Sequence, residues 1–313
     1  MRLEKIVYKG IKFVIDSDYR KVFLAGYGIY NKLDDKEFLK KIFGASMGYE
    51  LDLENPRTFN EKLQWLKLYD RKSEYTIMVD KYKVREYIKE QIGEEYLIPL
   101  LGVWDKPEDI DFNELPEQFV LKCNHNSGLG MCICKDKSKL NIERVKSELR
   151  KGLKQDYYLT GREWPYKNVP RKIICEKYMV DNSDEKQEEL TDYKFFCFDG
   201  YVDCVMVCIE RQTGNPKFYF FDENWNLVRC NIRGKEAPEG FTLPKPDCMN
   251  EMFQIASKLS KGKPFTRIDL YNCNGKIYFG EITFFPDSGF DKNLLPEADK
   301  HWGSLITLPQ KRG

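Results

Sequence analysis

FTRIDLYNCNGKIYFGEITFFPDSG, residues 265–289, holds two runs that alternate apolar and polar residues, TRIDLY and KIYFGEITF, on either side of Cys273-Asn274-Gly275. Alternation at period two marks a half-buried strand, and a short Gly-bearing connection makes the pair a hairpin. A three-residue loop with Gly275 in the left-handed position pairs Asn272 with Lys276. Counting outward sets Arg267 against Glu281 and Asp269 against Phe279, and opposed residues share a side of the sheet. Arg267, Asp269, Glu281 and Thr283 are therefore expected on one face, with Ile268, Leu270, Tyr278, Ile282 and Phe284 on the other as core.

Two acids so close resist joint ionisation unless a cation sits between them. Magnesium suits such a pair, because it takes oxygen ligands and completes its shell with water and substrate phosphates. A cross-strand salt bridge from Arg267 to Glu281, with Asp269 solvated, explains the same residues without a metal.

Upstream of the hairpin, a helix over 248–261 is closed by Gly262, and KFYFFDENWNLVR is β-rich. DYKFFCF and YVDCVMVCIE flank Asp199-Gly200, a strong signal for a tight hairpin. RKIICEKYMV, 171–180, reads as a strand, and VDNSDEKQEEL after it as a polar, acidic loop. Further back, QFVLKCNH and MCICKD are strands around a Gly-containing loop, and 140–154 is an amphipathic helix. LIPLLGVWD reads as a connecting segment. A second helix begins at Asp80, runs through Val84, Ile88 and Ile92, and stops at Gly93. Thr58-Phe59-Asn60-Glu61 forms a capping box, after which Phe59, Leu63, Leu66 and Tyr69 recur at helical spacing. Residues 1–55 give only weak helical patterns. The sum is an α+β protein with at least two sheets.

The bulk properties narrow the function. At 313 residues the chain exceeds what one core usually serves. With 51 basic against 50 acidic residues, no overall field gathers nucleic acid or coats an anionic membrane. The apolar run of the opening, IKFVI, is too short for a signal peptide or a transmembrane helix. Ten cysteines lie dispersed in strand-like runs with no CxxC pair, beside only two histidines. Reduced, buried thiols in a cytoplasmic protein without structural zinc are expected.

Other residues suit an anionic nucleotide. Lys122 interrupts the apolar strand Phe119-Val120-Leu121-Lys122-Cys123-Asn124 just before His125-Asn126-Ser127-Gly128-Leu129-Gly130, where backbone N–H groups can meet a phosphate. Lys81 follows Asp80 at a helix start, which also favours an anion. In Glu176-Lys177-Tyr178-Met179 the backbone can meet an adenine edge while Lys177 and Met179 pack on the ring. Each feature taken alone is equally a solvated surface or an ordinary turn.

Taken in this order, these residues resemble the ATP-grasp superfamily, and most specifically its TupA-like branch, over roughly residues 50–310. Asn55 to Trp65 (NPRTFNEKLQW) and Val79-Asp80-Lys81 are similar to that branch's entry. FVLKCNHNSG, Cys175 to Met179, Asp192-Tyr193-Lys194, Arg267-Ile268-Asp269 and Gly280-Glu281-Ile282-Thr283-Phe284 are similar to its site. The resemblance implies two α+β lobes whose antiparallel sheets enclose an ATP cleft, with a helical region over 1–110, a small lobe over 111–178 and a C-terminal lobe over 179–313. It implies ATP and Mg2+ as cofactors. Lys81, Lys122 and the loop at Asn126, Ser127 and Gly128 would bind the phosphates, and Glu176, Lys177, Met179 and Asp192 the nucleoside. Arg267 and Lys194 would be catalytic, and Asp269, Glu281 and Thr283 would hold the metal. Thr283 stands where an asparagine is usual, which leaves a second metal open.

The activity so implied is a ligase that turns a carboxylate into an acyl phosphate for attack by an amine, in the making of a bacterial capsule or teichuronopeptide. Small-molecule or glycan-precursor substrates and a loose association with the polysaccharide-synthesis machinery go with it. A transferase, either a sugar kinase or a glycosyltransferase of the same synthesis, is the alternative. Asp269 and Glu281 form no D-x-D motif, which argues against the glycosyltransferase. Trp65, Trp164 and Trp302 read as packing residues before sugar-binding ones, His125 as a surface hydrogen-bonder or a phosphate contact, and Arg162 and Lys167 as candidates for an acidic substrate or as solvated loop residues. By resemblance alone, PDSGFDKNLLPEADKHWG folds over the site and brings Ser288 and Gly289 towards the acceptor.

Overall fold

The computed structural model describes residues 10–181, 190–210 and 216–311. Most of the acidic loop expected after residue 180, and the first nine residues, lie outside these. The chain divides into two units, one of residues 1–71, 158–164 and 285–313, the other of 72–157 and 165–284.

The second unit holds two wholly antiparallel sheets. Strands β1 (Leu100–Trp104), β2 (Phe119–Cys123), β3 (Met131–Cys134) and β4 (Ile173–Lys177) form the smaller, in the order β1-β4-β2-β3. On one side Phe119, Leu121, Cys175 and Ile173 pack on Val145 and Leu149, the apolar stripe of helix α6 (Ile142–Lys154). The period-two alternation leaves Val120 and Lys122 on the other face. LIPLLGVWD supplies β1, which the expected connection missed; its pairing with β4 shifts between Leu100 and Gly102, so the strand lacks a clean alternation.

The larger sheet runs β10-β9-β5-β6-β7-β8, from β5 (Asp192–Phe198), β6 (Tyr201–Ile209), β7 (Lys217–Phe221), β8 (Leu227–Val228), β9 (Thr266–Cys273) and β10 (Lys276–Thr283). Helix α7 (Met249–Ser260) covers it with buried Met252, Phe253, Ala256 and Leu259. Asp199 and Gly200, both at positive φ, turn β5 into β6 as the sequence signalled. Ahead of the small sheet come α4 (Glu74–Val79) and α5 (Val84–Gln91).

The β9–β10 register differs from the expected one. The connection is the two-residue Asn274-Gly275, at φ 53° and 78°, the doubly left-handed pair that a tight hairpin turn requires. Cys273 therefore faces Lys276, and Tyr278 faces Tyr271. That puts Tyr278 on the charged side rather than in the core, and Phe279 opposite Leu270 inside it. Continued unbroken, this register would set Glu281 against Ile268, facing the core. A bulge at Gly280 takes up one residue, after which Glu281 faces Asp269 and Thr283 faces Arg267. A side chain at Gly280 would press within 2.9 Å of the Asp269 carbonyl and 3.0 Å of the Tyr271 ring.

The first unit is mostly helical: α1 (Ser17–Gly26), α2 (Asp35–Met47), α3 (Phe59–Tyr69) and α8 (Pro296–Leu305). Thr58 and Glu61 cap α3 reciprocally, and Phe59 meets buried Trp302 edge-on at 5.4 Å. Lys67 is fully buried. Its ammonium donates to Gln64 Oε1 at 3.0 Å and to the Gly161 and Ser288 carbonyls at 2.7 Å each. Burial pushes its pKa down to about 7, against the pull of Glu163 and Asp35. Ser288 and its neighbour Asp287 both have positive φ. Arg162 is buried instead of offering itself to a substrate, because its guanidinium donates to the Tyr30, Asn31 and Leu33 carbonyls and lies over Phe38. Among the described residues no helix is long and apolar enough to cross a membrane.

Candidate active site

On the face of the large sheet away from α7, register brings charges into a row. Lys194 on β5 stands opposite Asp269 on β9, which stands opposite Glu281 on β10. Asp269 is 1% exposed, yet its carboxylate is well supplied with donors. Arg267 Nε and Nη2 donate to its two oxygens at 2.7 Å each, and Lys194 closes on Oδ2 in a short contact. Arg267 Nη2 also donates to Glu281 Oε1 at 3.1 Å and to the Thr283 hydroxyl at 3.2 Å, so one guanidinium bridges both acids. Lys194 lies 3.2 Å from Asp192 as well.

Lys81, on the turn before α5, completes the cluster. Its Nζ is 3.9 Å from Glu281 Oε2 and donates to the Asn126 carbonyl at 2.7 Å. The turn is fixed by Asp80 Oδ1, which accepts from the Tyr82 and Lys83 amides and from Asn124. Three cations, Lys81, Lys194 and Arg267, thus face three anions, Asp192, Asp269 and Glu281.

The electrostatics follow from this crowding. Burial alone would raise the Glu281 pKa, but Lys81, Arg267 and Lys194 hold it down at about 2. Asp269 ends above its ordinary value, because burial and the neighbouring Glu281 outweigh Arg267 and Lys194. Burial lowers Lys81 despite Glu281. Lys194 is raised, burial being overcome chiefly by Asp269.

On the small sheet, Lys122 pairs with Glu176 at 2.5 Å, and Arg85 of α5 approaches the other oxygen of Glu176 at 3.5 Å. Lys122 and Glu176 share a face, since Val120 opposes Glu176 and Lys122 opposes Ile174. Exposed Met131 and Ile133 stand opposite Lys122 and Val120 and give the same face an apolar wall.

Lys177 and Met179 line a cavity of about 510 Å³ with Tyr178, Asn274, Lys276 and Tyr278. Glu176 does not line it. Ser127 and Gly128 are exposed in the loop after β2, with Gly128 at φ 80°. The Asn126 side chain turns away from the charged cluster, donating to the Gly152 carbonyl and Gln155 Oε1. His125 is buried rather than at the surface, its Nε2 3.2 Å from the Gln155 carbonyl.

Arg85, Met131 and Ile133 escaped the sequence reading. Only Arg85 carried a signal, lying one helical turn after Lys81.

As a cation site, Asp269, Glu281 and Thr283 offer only oxygen, the donor that magnesium takes. Among the described residues no three acidic, histidine or cysteine side chains gather to enclose a metal. An ion here therefore fits only if phosphate and water supply the rest of its shell.

Several solved structures are similar to the chain. The D-alanine–D-alanine ligase from Bacillus anthracis complexed with ATP is 17% identical with a TM-score of 0.43, over 73% of this chain and 63% of that one. The chain thus spans less than two thirds of that ligase. The D-alanine–D-alanine ligase from Helicobacter pylori is 13% identical with a TM-score of 0.44, over 80% and 69%. The ATP-grasp ligase PsnB complexed with a phosphomimetic variant of its minimal precursor, Mg and ADP is 10% identical with a TM-score of 0.42, over 90% and 72%. No curated protein matches the chain. The family described as TupA-like ATPgrasp matches residues 61–307, most of the sequence and all of the charged cluster, and the chain belongs to that family.

Proposed function

We propose that the chain is an ATP- and magnesium-dependent ligase that activates a carboxylate as an acyl phosphate for attack by an amine, in the cytoplasmic synthesis of a capsular or teichuronopeptide-like polysaccharide. The observation that carries this reading is the row Lys194, Asp269 and Glu281, with Arg267 bridging the acids and Lys81 beyond them.

Lys81 and Lys122 hold the ATP phosphates, and the loop at Asn126, Ser127 and Gly128 offers backbone N–H groups to them. Glu176 keeps Lys122 aimed, and Arg85 holds the other oxygen of Glu176. Lys177, Met179 and Tyr278 receive the base, and Asp192 reaches the ribose. A magnesium ion on Asp269, Glu281 and Thr283 would neutralise phosphate charge during transfer. Arg267 stabilises the charge that spreads over the transferring phosphoryl group, and Lys194 offsets part of the burial of Asp269. An acceptor carboxylate oxygen attacks the γ-phosphorus as ADP leaves, and an amine then displaces phosphate from the acyl phosphate. Positioning and charge neutralisation do most of such work.

The test is turnover with candidate carboxylates and amines. ADP and phosphate released only when both are present support the ligase. Release of AMP, or ADP release with a sugar hydroxyl and no amine, contradicts it.

A further inference from the structure

The family match begins at residue 61, and ahead of it lies a surface that the proposed reaction does not use. Residues 10–15 are helical, and α1 follows after Asp16. No residue of α1 is buried. The exposed side of this segment is mainly apolar: Ile11 is 55% exposed, Val14 72%, Ile15 76%, Tyr27 73% and Ile29 61%, with Val22 and Phe23 also open, while exposed Asp18 is paired with Lys21 at 2.8 Å. A soluble helix shows the reverse, with polar residues outward.

The arrangement is built, not frayed. Asp16 caps α1 by accepting from the Asp18 and Tyr19 amides. Arg20 Nη1 donates to the Phe13 and Val14 carbonyls at 3.0 Å each, fixing the bend between the two helical pieces. Phe23 lies between Phe13, edge-on at 5.2 Å, and Tyr27, tilted at 4.9 Å. These contacts hold Val14 and Ile15 outward.

Charge singles out the same region. Residues 10–33 carry four Lys and Arg against two acids, which leaves 47 against 48 for the rest of the chain. A net positive charge of an almost neutral protein thus accompanies the apolar face. Apolar and aromatic side chains flanked by basic ones match the boundary of an anionic bilayer, where the former enter the headgroup region and the latter meet lipid phosphate.

We propose that residues 10–30 dock the chain flat on an anionic membrane surface through Ile11, Val14, Ile15, Val22, Phe23 and Tyr27. This does not rest on the ligase reading. The full chain is sedimented with vesicles of phosphatidylglycerol and phosphatidylcholine, against pure phosphatidylcholine, at low and raised salt. Binding is expected to anionic vesicles, weakened by salt and lowered about tenfold or more in V14D/I15D. Both substituted positions are solvent-facing, so that variant keeps its circular dichroism and its ATP turnover. Absence of binding to anionic vesicles overturns the proposal, as does equal binding by wild type and V14D/I15D. A wild type that dimerises without binding vesicles, and is made monomeric by V14D/I15D, also overturns it in favour of a second copy.

Discussion

Replacing Asp269 by asparagine tests how the charged row is held. The carboxylate accepts two hydrogen bonds from Arg267 at 2.7 Å and one from Lys194, with 1% of the residue exposed. Asparagine keeps one acceptor and turns an NH2 group towards donors, leaving the three cations facing two anions. Removing one partner of a buried ion pair costs about 3–5 kcal/mol. That is a large part of the roughly 5–15 kcal/mol by which a domain is stable. Lys194→Met should cost less, because Arg267 still serves Asp269. In D269N/K194M the lysine no longer faces an amide, so the double loss should fall short of the sum by about 1–3 kcal/mol. Hydrogen exchange of the β5, β9 and β10 amides reads the opening free energy of this sheet directly. Losses that add to within about 0.5 kcal/mol would refute the coupling.

Three further outcomes are expected at other positions. Lys67, with a folded pKa of about 7 against an ordinary 10.5, binds fewer protons folded than unfolded between those values. Its burial penalty is therefore full below pH 7 and relieved as pH rises towards 10.5. The stability of wild type relative to K67M should climb by up to about 1.4 kcal/mol per pH unit across that window in urea titrations, and a flat difference would contradict the buried charge. Gly280→Ala pushes a methyl against the Asp269 carbonyl and the Tyr271 ring. A loss of about 1–3 kcal/mol is expected by denaturation, with impaired turnover, whereas a neutral effect on both would mean that the bulge does not set Glu281. Lys122→Met should raise the ATP dissociation constant by about tenfold or more in calorimetry, as loss of a charge-assisted phosphate contact does, and unchanged affinity would remove Lys122 from the nucleotide site.

Much of this was legible in the residues because period two and period 3.6 are written in side chains. Thr58 and Glu61 announced α3, Asp199-Gly200 announced the β5–β6 turn, and the alternation TRIDLY put Arg267 and Asp269 on one face. The register of β10 was read through two errors that compensate. Asn274-Gly275 is the signature of a two-residue turn, and Gly280 inside a strand is the signature of a bulge. Each alone moves Glu281 to the wrong side, while together they restore it. Row formation across three strands was not legible, because no local pattern states that β5 pairs with β9, some seventy residues later. Arg162 and His125 were misplaced for a similar reason, since their burial depends on carbonyls distant in sequence. The inverted exposure of Val14 and Ile15 depends on the Arg20 bond at the bend, which no composition reveals.

In the proposed site Asp269 and Glu281 share a nucleotide-bound cation beneath Lys81 and Lys122. A crystal structure with Mg2+ and a non-hydrolysable ATP analogue tests it most directly. One ion contacting both carboxylates and the analogue's phosphates is expected, with both lysines on phosphate oxygens. An analogue bound elsewhere, or an ion that leaves Asp269 wholly in the grip of Arg267 and Lys194, would contradict it.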